Sequence, residues 1–129
     1  MDIKASAKSV RISPRKVGVV AALVRGRTVA DAITILEHTP RRSALPVKKL
    51  IESVKANALN NYNLVEDTLK LKSISVTPGP RMKRYRPAAH GRALPFEKKS
   101  SHIYVEVNGQ KKQPKKPVAK KTEEKKESK

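Results

Sequence analysis

The chain has no cysteine and no tryptophan, and phenylalanine occurs once in its 129 residues. The absence of cysteine excludes disulfide bonds, thiolate metal ligands and a thiol nucleophile, and it fits a reducing compartment. A helix that binds a membrane surface would need a broad apolar face with aromatic anchors, but aromatic residues make up only 3% of the chain. An anionic membrane is therefore a weak candidate for a partner.

Carboxylates are also scarce, since 11 Asp and Glu accompany 30 Lys and Arg, which leaves a formal net charge of +19. A compact protein with this much like charge repels itself unless a polyanion neutralises it. Nucleic acid is the polyanion that best fits, because its closely spaced phosphates release condensed counterions on binding. The first ten residues lack the apolar core of a signal peptide, and no apolar run approaches transmembrane length. We therefore expect a soluble cytoplasmic protein.

The first part of the chain has the pattern of one strand followed by three helices. Residues 2–12 alternate in the way that is typical of a half-buried or edge strand. Ser13-Pro14 predicts a helix start with a hydroxyl N-cap, and Gly26 predicts its end. Thr28 and Asp31 form a capping pair for a second helix, and the third helix is expected to begin near Ser43. The apolar residues predicted to face the core are Val17, Val20, Ala21, Val24, Val29, Ala32, Ile33, Leu36, Val47, Leu50, Ile51, Val54 and Ala58.

Two further segments alternate like strands. Residues 69–77 do so with a slip of the apolar phase between Leu71 and Ile74, which predicts a bulge or a change of buried face. Ile103, Val105 and Val107 alternate without a slip. The predicted fold class is α+β, with three helices packed on a small antiparallel three-stranded sheet, a long extended β-hairpin and a disordered C-terminal tail.

The hairpin is predicted from the stretch between these two strands, residues 79–102, which we call the arm. It holds seven basic residues and one acidic residue, too many charges for a core and too many residues for a tight turn. If both strands continue outward, the arm is about 30 Å long at roughly 3.3 Å per residue. It has no hydrophobic face to bury, so something outside the body must hold it. Its arginines favour phosphate, and Tyr85 and Phe96 offer stacking surfaces. The alternative is an irregular basic loop on an unrelated domain.

A second basic group surrounds the start of the first helix, where backbone amides and the helix dipole also attract anions. It consists of Lys8, Arg11, Arg15 and Lys16. The alternative is an ordinary solvated face, and we favour that interpretation for Arg41-Arg42 and Lys48-Lys49. Residues 110–129 are almost wholly Lys, Glu, Gln, Pro, Ser and Ala, a composition that predicts a disordered tail.

The sequence offers little support for catalysis or for a metal or other cofactor. His38, His90 and His102 are scattered, and no pair of them has the spacing of metal ligands. No nucleophile, base and orienting group occur in a recognisable combination. The glycines lack the spacing of a phosphate-binding loop. We therefore predict a protein that is not an enzyme and that needs no cofactor and no metal.

Three stretches together carry a specific resemblance. AKSVRISPRKVGVVAALVRG at 7–26, KANALNNYNL at 55–64 and GPRMKRYRPAAHGRA at 79–93 closely resemble the bacterial large-subunit ribosomal protein L22 family, also called uL22. The resemblance covers about residues 2–107. It implies an L22 domain over residues 1–109, with a globular body of 1–78 and 103–109, the arm at 79–102, and the tail at 110–129.

The resemblance also implies a function. Members of this family bind 23S rRNA during assembly of the large subunit, their body lies near the exit of the nascent-peptide tunnel, and their hairpin passes through the rRNA to line the tunnel. The implied partners are 23S rRNA, neighbouring large-subunit proteins and the nascent polypeptide, with no membrane and no homo-oligomer. The alternative is a free-standing DNA- or RNA-binding architectural protein.

Taken together, the basic pattern and the resemblance give two sets of candidate residues. The predicted rRNA-binding residues are Lys8, Arg11, Arg15, Lys16, Arg81, Lys83, Arg84, Arg86, Arg92, Lys98, Lys99 and His102. The predicted tunnel-lining tip is Pro87, Ala88, Ala89, His90, Gly91, Arg92 and Ala93. The chain departs from the family at Ala88–His90, where members often carry Arg or Lys, and at Leu94–Glu97, where further polar and basic residues are usual.

Overall fold

The computed structural model of the protein describes residues 2–111, in which three helices pack on a three-stranded antiparallel sheet. Two of the strands continue past the body as a long hairpin. The predicted α+β class, with its three helices, small sheet and extended hairpin, is confirmed. The prediction of a disordered tail falls largely on residues 112–129, which lie outside the described residues.

The elements are β1 (Asp2–Val10), α1 (Pro14–Val24), α2 (Val29–Glu37), α3 (Ala44–Asn60), β2 (Lys70–Pro87) and β3 (Ala93–Asn108). The sheet has the order β1–β3–β2, so the last strand of the described residues lies in the middle. Short 3₁₀ turns occur at Glu66–Thr68 and Ala89–Gly91. None of the helices within residues 2–111 is long and apolar enough to cross a membrane.

The helices begin where the capping signals predict. The Thr28 hydroxyl accepts a hydrogen bond from the Asp31 N–H at 3.2 Å and donates one to the Asp31 carboxylate at 2.7 Å. Ser13 occupies the N-cap of α1, with Pro14 following it, but its hydroxyl makes no capping bond. The Ser13 carbonyl accepts from the Lys16 N–H at 3.0 Å instead, so the backbone satisfies that donor. Gly26 follows the end of α1 with φ of +75°, a conformation that glycine adopts without strain.

The core lies between the helices and one face of the sheet. The predicted inner residues of α1 and α3 are all buried, and in α2 only Ile33 is partly exposed. Ile103, Val105 and Val107 are fully buried on β3, as their unbroken alternation predicts. The register of β2 shifts between Leu71 and Ser73, which confirms the bulge predicted there.

On the outer face of the sheet, Glu106 of β3 joins all three strands. Its carboxylate accepts a hydrogen bond from the Lys4 ammonium of β1 at 2.8 Å and another from the Ser73 hydroxyl of β2 at 3.1 Å. These two hydrogen bonds, the bond from Lys4 being the larger cause, hold the pKa of Glu106 below its ordinary value of 4.5. The ionised form therefore stabilises the folded state.

A pH dependence follows from this arrangement. A carboxylate with a lowered pKa stabilises the fold above its ordinary pKa, and that contribution is lost as the pH falls through the lower folded value. We expect the unfolding temperature to decrease as the pH falls below 4.5, and to decrease less steeply in Glu106→Gln. Thermal unfolding monitored by circular dichroism measures both curves. Asp67→Asn is the matched control, because Asp67 is exposed and has no ion pair among residues 2–111. Equal slopes for Glu106→Gln and the unmodified protein would contradict the assignment.

Candidate nucleic-acid interface

The arm is an antiparallel ladder that extends away from the body, and it has no hydrophobic core of its own. Its rungs run from Arg81 opposite Lys99 to Pro87 opposite Ala93. From Pro78 to Pro87 the strand covers about 30 Å at roughly 3.3 Å per residue. The predicted tip, residues 87–93, is the end of this hairpin, where the Ala88 N–H donates to the Arg92 carbonyl at 2.8 Å. Within the tip, His90 has φ of +59°, a left-handed conformation that is uncommon for a residue other than glycine.

At the root of the arm the register of β2 against β3 shifts between Pro78 and Arg81. A Cβ atom on Gly79 would lie 2.7 Å from the Ser100 hydroxyl oxygen and 3.3 Å from the His102 ring. The same Ser100 hydroxyl donates to the Pro80 carbonyl at 2.7 Å. The two arm strands therefore approach so closely here that a side chain at position 79 would displace Ser100 and its hydrogen bond.

His102 lies beside this root and is partly buried. Its Nδ1 accepts a hydrogen bond from the Ser9 N–H at 2.9 Å, and Ser9 has the left-handed φ of +57°. His102 thus ties the irregular end of β1 to the start of the arm. His102 therefore has a structural role, and its contact with RNA stays a prediction.

The ladder divides the arm side chains between two faces, because directly opposed residues share a face and successive residues alternate. One face, which we call the Phe96 face, consists of Met82, Arg84, Arg86, Leu94, Phe96 and Lys98. The opposite one, the Tyr85 face, consists of Arg81, Lys83, Tyr85, Pro87, Ala93, Pro95, Glu97 and Lys99. The predicted basic residues are therefore distributed over both faces.

The faces differ in their electrostatic contacts. On the Phe96 face the Arg86 guanidinium carbon lies 4.7 Å from the centre of the Phe96 ring, a cation–π contact. On the Tyr85 face Arg81 lies 3.7 Å from the Glu97 carboxylate, and Lys83 lies directly opposite Glu97 in the ladder. Each face carries three cations, but only the Tyr85 face carries a carboxylate.

Two clefts at the arm root contain Arg11 and Lys16 from the second group of predicted residues. The larger, of about 570 Å³, is lined by Ser9, Arg11, Arg42, Pro80, Met82, Lys98, Lys99 and Ser100. The second, of about 400 Å³, adjoins the starts of α1 and α3 and is lined by Arg11, Ile12, Ser13, Lys16, Arg41, Arg42 and Ser43. Arg11 and Arg42 line both clefts, so we call the two clefts together the Arg11–Arg42 cleft. Its lining includes no Asp or Glu, and it therefore suits a phosphate backbone.

A third, smaller cleft of about 170 Å³ lies where α1 begins beside the Tyr85 face. It brings Arg15 together with Arg81 and Lys99. Lys8 is exposed on β1 and lines none of these three clefts. The structure thus gathers most of the predicted body residues around the arm root and leaves Lys8 apart from them.

Arg41 and Arg42, for which the sequence favours a solvated face, line the Arg11–Arg42 cleft. They precede α3, and they reach Arg11 because α3 packs against β1 and because the Ser43 hydroxyl donates to the Lys16 carbonyl at 3.3 Å. Their only sequence signal is a pair of arginines just before a helix start. Lys48 behaves differently, since it forms ion pairs with Glu37 at 2.7 Å and with Glu52 at 3.5 Å.

Some cations of the described residues form ion pairs and others do not, and the second class also includes body residues outside the predicted set, such as Arg27 and Lys49. Lys4, Lys48, Lys55 and Lys72 form ion pairs with carboxylates, and all four lie on the body. Among the ten predicted Lys and Arg residues other than Arg81, none has a carboxylate within 4.0 Å in residues 2–111. Apart from Arg81, which lies near Glu97, the predicted cations around the arm are thus left without an ion-pair partner in the described residues.

The described residues hold no group of three His, Asp or Glu side chains that would suit a metal ion. The geometry instead presents an extended cationic surface with stacking groups, which is the form of a nucleic-acid interface.

Comparison with known proteins agrees with this surface. Residues 5–108 match the family described as Ribosomal protein L22p/L17e. The chain is also 47% identical to the Large ribosomal subunit protein uL22 of Clostridioides difficile (strain 630) over 111 residues, which is 86% of this chain and 100% of the relative. Since the match spans most of both chains, the protein belongs to the ribosomal protein L22p/L17e family, whose members are structural components of the ribosome and not enzymes.

Proposed function

We propose that the protein is a structural constituent of the large ribosomal subunit that binds 23S rRNA during assembly. In this proposal residues 1–109 form one functional domain whose body lies near the exit of the nascent-peptide tunnel. The arm threads the rRNA, and its tip lines the tunnel beside the nascent polypeptide. The protein acts in the cytoplasm as part of the ribosome, with neighbouring large-subunit proteins as further partners and without self-association.

The observation that carries the proposal is the arm, a hairpin that has no core and whose cations have almost no carboxylate partners. An isolated two-stranded hairpin is marginally stable in water, so this one needs an external surface along its length. Phosphates satisfy the guanidinium groups of Arg84 and Arg86 in the forked geometry that arginine favours. Folded RNA offers both the charge and the length of surface that such an arm requires.

The Arg11–Arg42 cleft extends the same proposal to the body. Arg11, Lys16, Arg41 and Arg42 converge there beside the arm root. A phosphate backbone that follows the arm would continue into this cleft without meeting a carboxylate. We therefore add Arg41 and Arg42 to the predicted rRNA-binding residues.

The tip is the part of the arm with the least charge. Ala88 and Ala89 are small, and His90 and Arg92 are its polar groups. A surface of small side chains leaves room for a polypeptide to pass, which fits a position on a tunnel wall. The strands of the arm, rather than its tip, would then supply most of the rRNA contacts.

A high-salt wash of ribosomal particles tests the proposal. An arm held along its length by RNA should remain bound at salt concentrations that remove proteins held by surface charge alone. We expect the full chain to copurify with large subunits through the wash. A variant in which residues 81–99 are replaced by a two-residue Asn-Gly turn keeps the body and should dissociate.

The second candidate, a free-standing architectural protein that binds DNA or RNA, makes the opposite prediction. Both the full chain and the arm-deleted variant would then leave the particles in the same salt range. Recovery of the full chain only in the salt-soluble fraction would overturn the ribosomal proposal.

A further inference from the structure

We infer that the Phe96 face of the arm lies against RNA and that the Tyr85 face is turned away from it. The inference rests on the proposed function and assigns an orientation to the arm about its long axis. It follows from three differences between the two faces. They differ in whether they carry a carboxylate, in whether a cation lies against an aromatic ring, and in the clefts that they adjoin.

The first difference is electrostatic. The three cations of the Phe96 face meet no carboxylate on that face, whereas Glu97 on the Tyr85 face is within 3.7 Å of Arg81 and opposite Lys83. A phosphate on the Tyr85 face would have to approach Glu97 and compete with it for Arg81. On the Phe96 face no such repulsion opposes an RNA backbone.

The second difference is the arrangement of flat and apolar groups. Arg86 lies over the Phe96 ring, so the guanidinium plane is already held beside an aromatic surface. Such a pair presents a stacking platform for a nucleobase together with a cation for its phosphate. Met82 and Leu94 on the same face are 48% and 58% exposed, so residues 2–111 leave much of their apolar surface uncovered. Tyr85 on the opposite face is 67% exposed, but the cation–π contact of the arm lies at Phe96.

The third difference is continuity with the body. Met82 and Lys98 of the Phe96 face line the Arg11–Arg42 cleft, of which the larger part has about 570 Å³. Lys99 of the Tyr85 face lines that larger part as well, but Arg81 and Lys99 of the Tyr85 face also line the separate cleft of about 170 Å³ beside Arg15. An RNA strand lying on the Phe96 face therefore runs directly into the Arg11–Arg42 cleft.

The absence of cysteine from the chain allows a direct test of this orientation. Leu94→Cys places one thiol on the Phe96 face and Tyr85→Cys places one on the Tyr85 face. The replaced side chains are 58% and 67% exposed, so both thiols start from similar accessibility in the free protein. Neither position belongs to the core, and each variant is expected to fold like the unmodified chain.

The measurement is the rate of labelling by a small maleimide in the free protein and in isolated large subunits that have incorporated each variant. We expect the Leu94→Cys thiol to react at least about tenfold more slowly in the subunit than in the free protein, with a much smaller decrease for Tyr85→Cys. Equal protection of both thiols, or stronger protection of Tyr85→Cys, would overturn the orientation while leaving the proposed function intact. Incorporation of neither variant, or labelling of both at the rate of the free protein, would overturn the proposed function as well.

A charge-matched pair of variants tests the same point without a label. Arg84→Gln and Lys83→Gln each remove one positive charge from adjacent positions on opposite faces. We expect Arg84→Gln to weaken binding to protein-free 23S rRNA about tenfold, and Lys83→Gln to weaken it about twofold or less. The reverse order in a filter-binding titration would assign RNA to the Tyr85 face.

Discussion

Replacing four arm cations by glutamine is expected to weaken binding to 23S rRNA by about 700-fold. The residues are Arg84, Arg86, Arg92 and Lys98, which lie on the Phe96 face or at the tip and are all exposed. If each contributes a net of about 1 kcal/mol, the total is about 4 kcal/mol, and each 1.4 kcal/mol corresponds to roughly a factor of ten. The dependence of log affinity on log salt concentration should also become less steep by about 3.5, because four fewer phosphates are neutralised.

Two controls give this experiment its meaning. The first is the thermal unfolding of the variant, which should match that of the unmodified protein because the arm contributes nothing to the core. The second is a variant with four other lysines changed to glutamine, namely Lys112, Lys115, Lys116 and Lys120, which alters the net charge equally. If both variants lose affinity to the same degree, net charge alone drives binding and the arm has no special role.

The second large effect concerns stability. Ile103→Ala is expected to lower the free energy of unfolding by about 2–5 kcal/mol, since Ile103 is fully buried on the central strand and the truncation leaves a cavity. That is a large part of the roughly 5–15 kcal/mol available to a domain of ordinary stability. Urea unfolding monitored by circular dichroism gives the value.

Its matched control is the next residue along the same strand. Tyr104 points to the outer face of the sheet and is 39% exposed, so Tyr104→Ala should lower the free energy of unfolding by less than about 1 kcal/mol. Similar losses for the two variants would mean that both faces of β3 are packed, which would contradict the one-sided core described above.

The elements that the sequence predicts well are those whose burial is one-sided. In α3 the apolar residues from Val47 to Ala58 recur at helical spacing because a single face of the helix meets the sheet. The bulge near Leu71 was predictable for the same reason. When only one face of a strand is buried, an extra residue interrupts the alternation of apolar and polar residues, and that interruption is visible in the sequence. The Ser13 cap was predicted by position but not by its bond, because the Ser13 carbonyl already accepts the N–H that the hydroxyl would otherwise take.

The arm could be predicted from the sequence, whereas the Arg11–Arg42 cleft could not. Charge density and framing strands are local properties, so the arm and its basic residues follow from the sequence, and membership of the L22 family is confirmed. Arg42 and Arg11 are far apart in the chain, and only the packing of α3 against β1 brings them into one cleft. No local pattern carries that information. The division of the arm into two faces likewise requires the register between β2 and β3.

The separation of the arm from the core also determines how the protein can vary over evolution. Between Arg81 and Lys99 the arm residues are exposed, apart from Ala88 and Phe96, which are partly covered, and none is buried. A substitution there leaves the folding free energy almost unchanged, so selection for a folded body does not restrain it. Only the surroundings of the arm can reject a change. The alanines and histidine at Ala88–His90 are therefore expected to drift with the shape of whatever surface encloses the tip, while the body keeps its pattern.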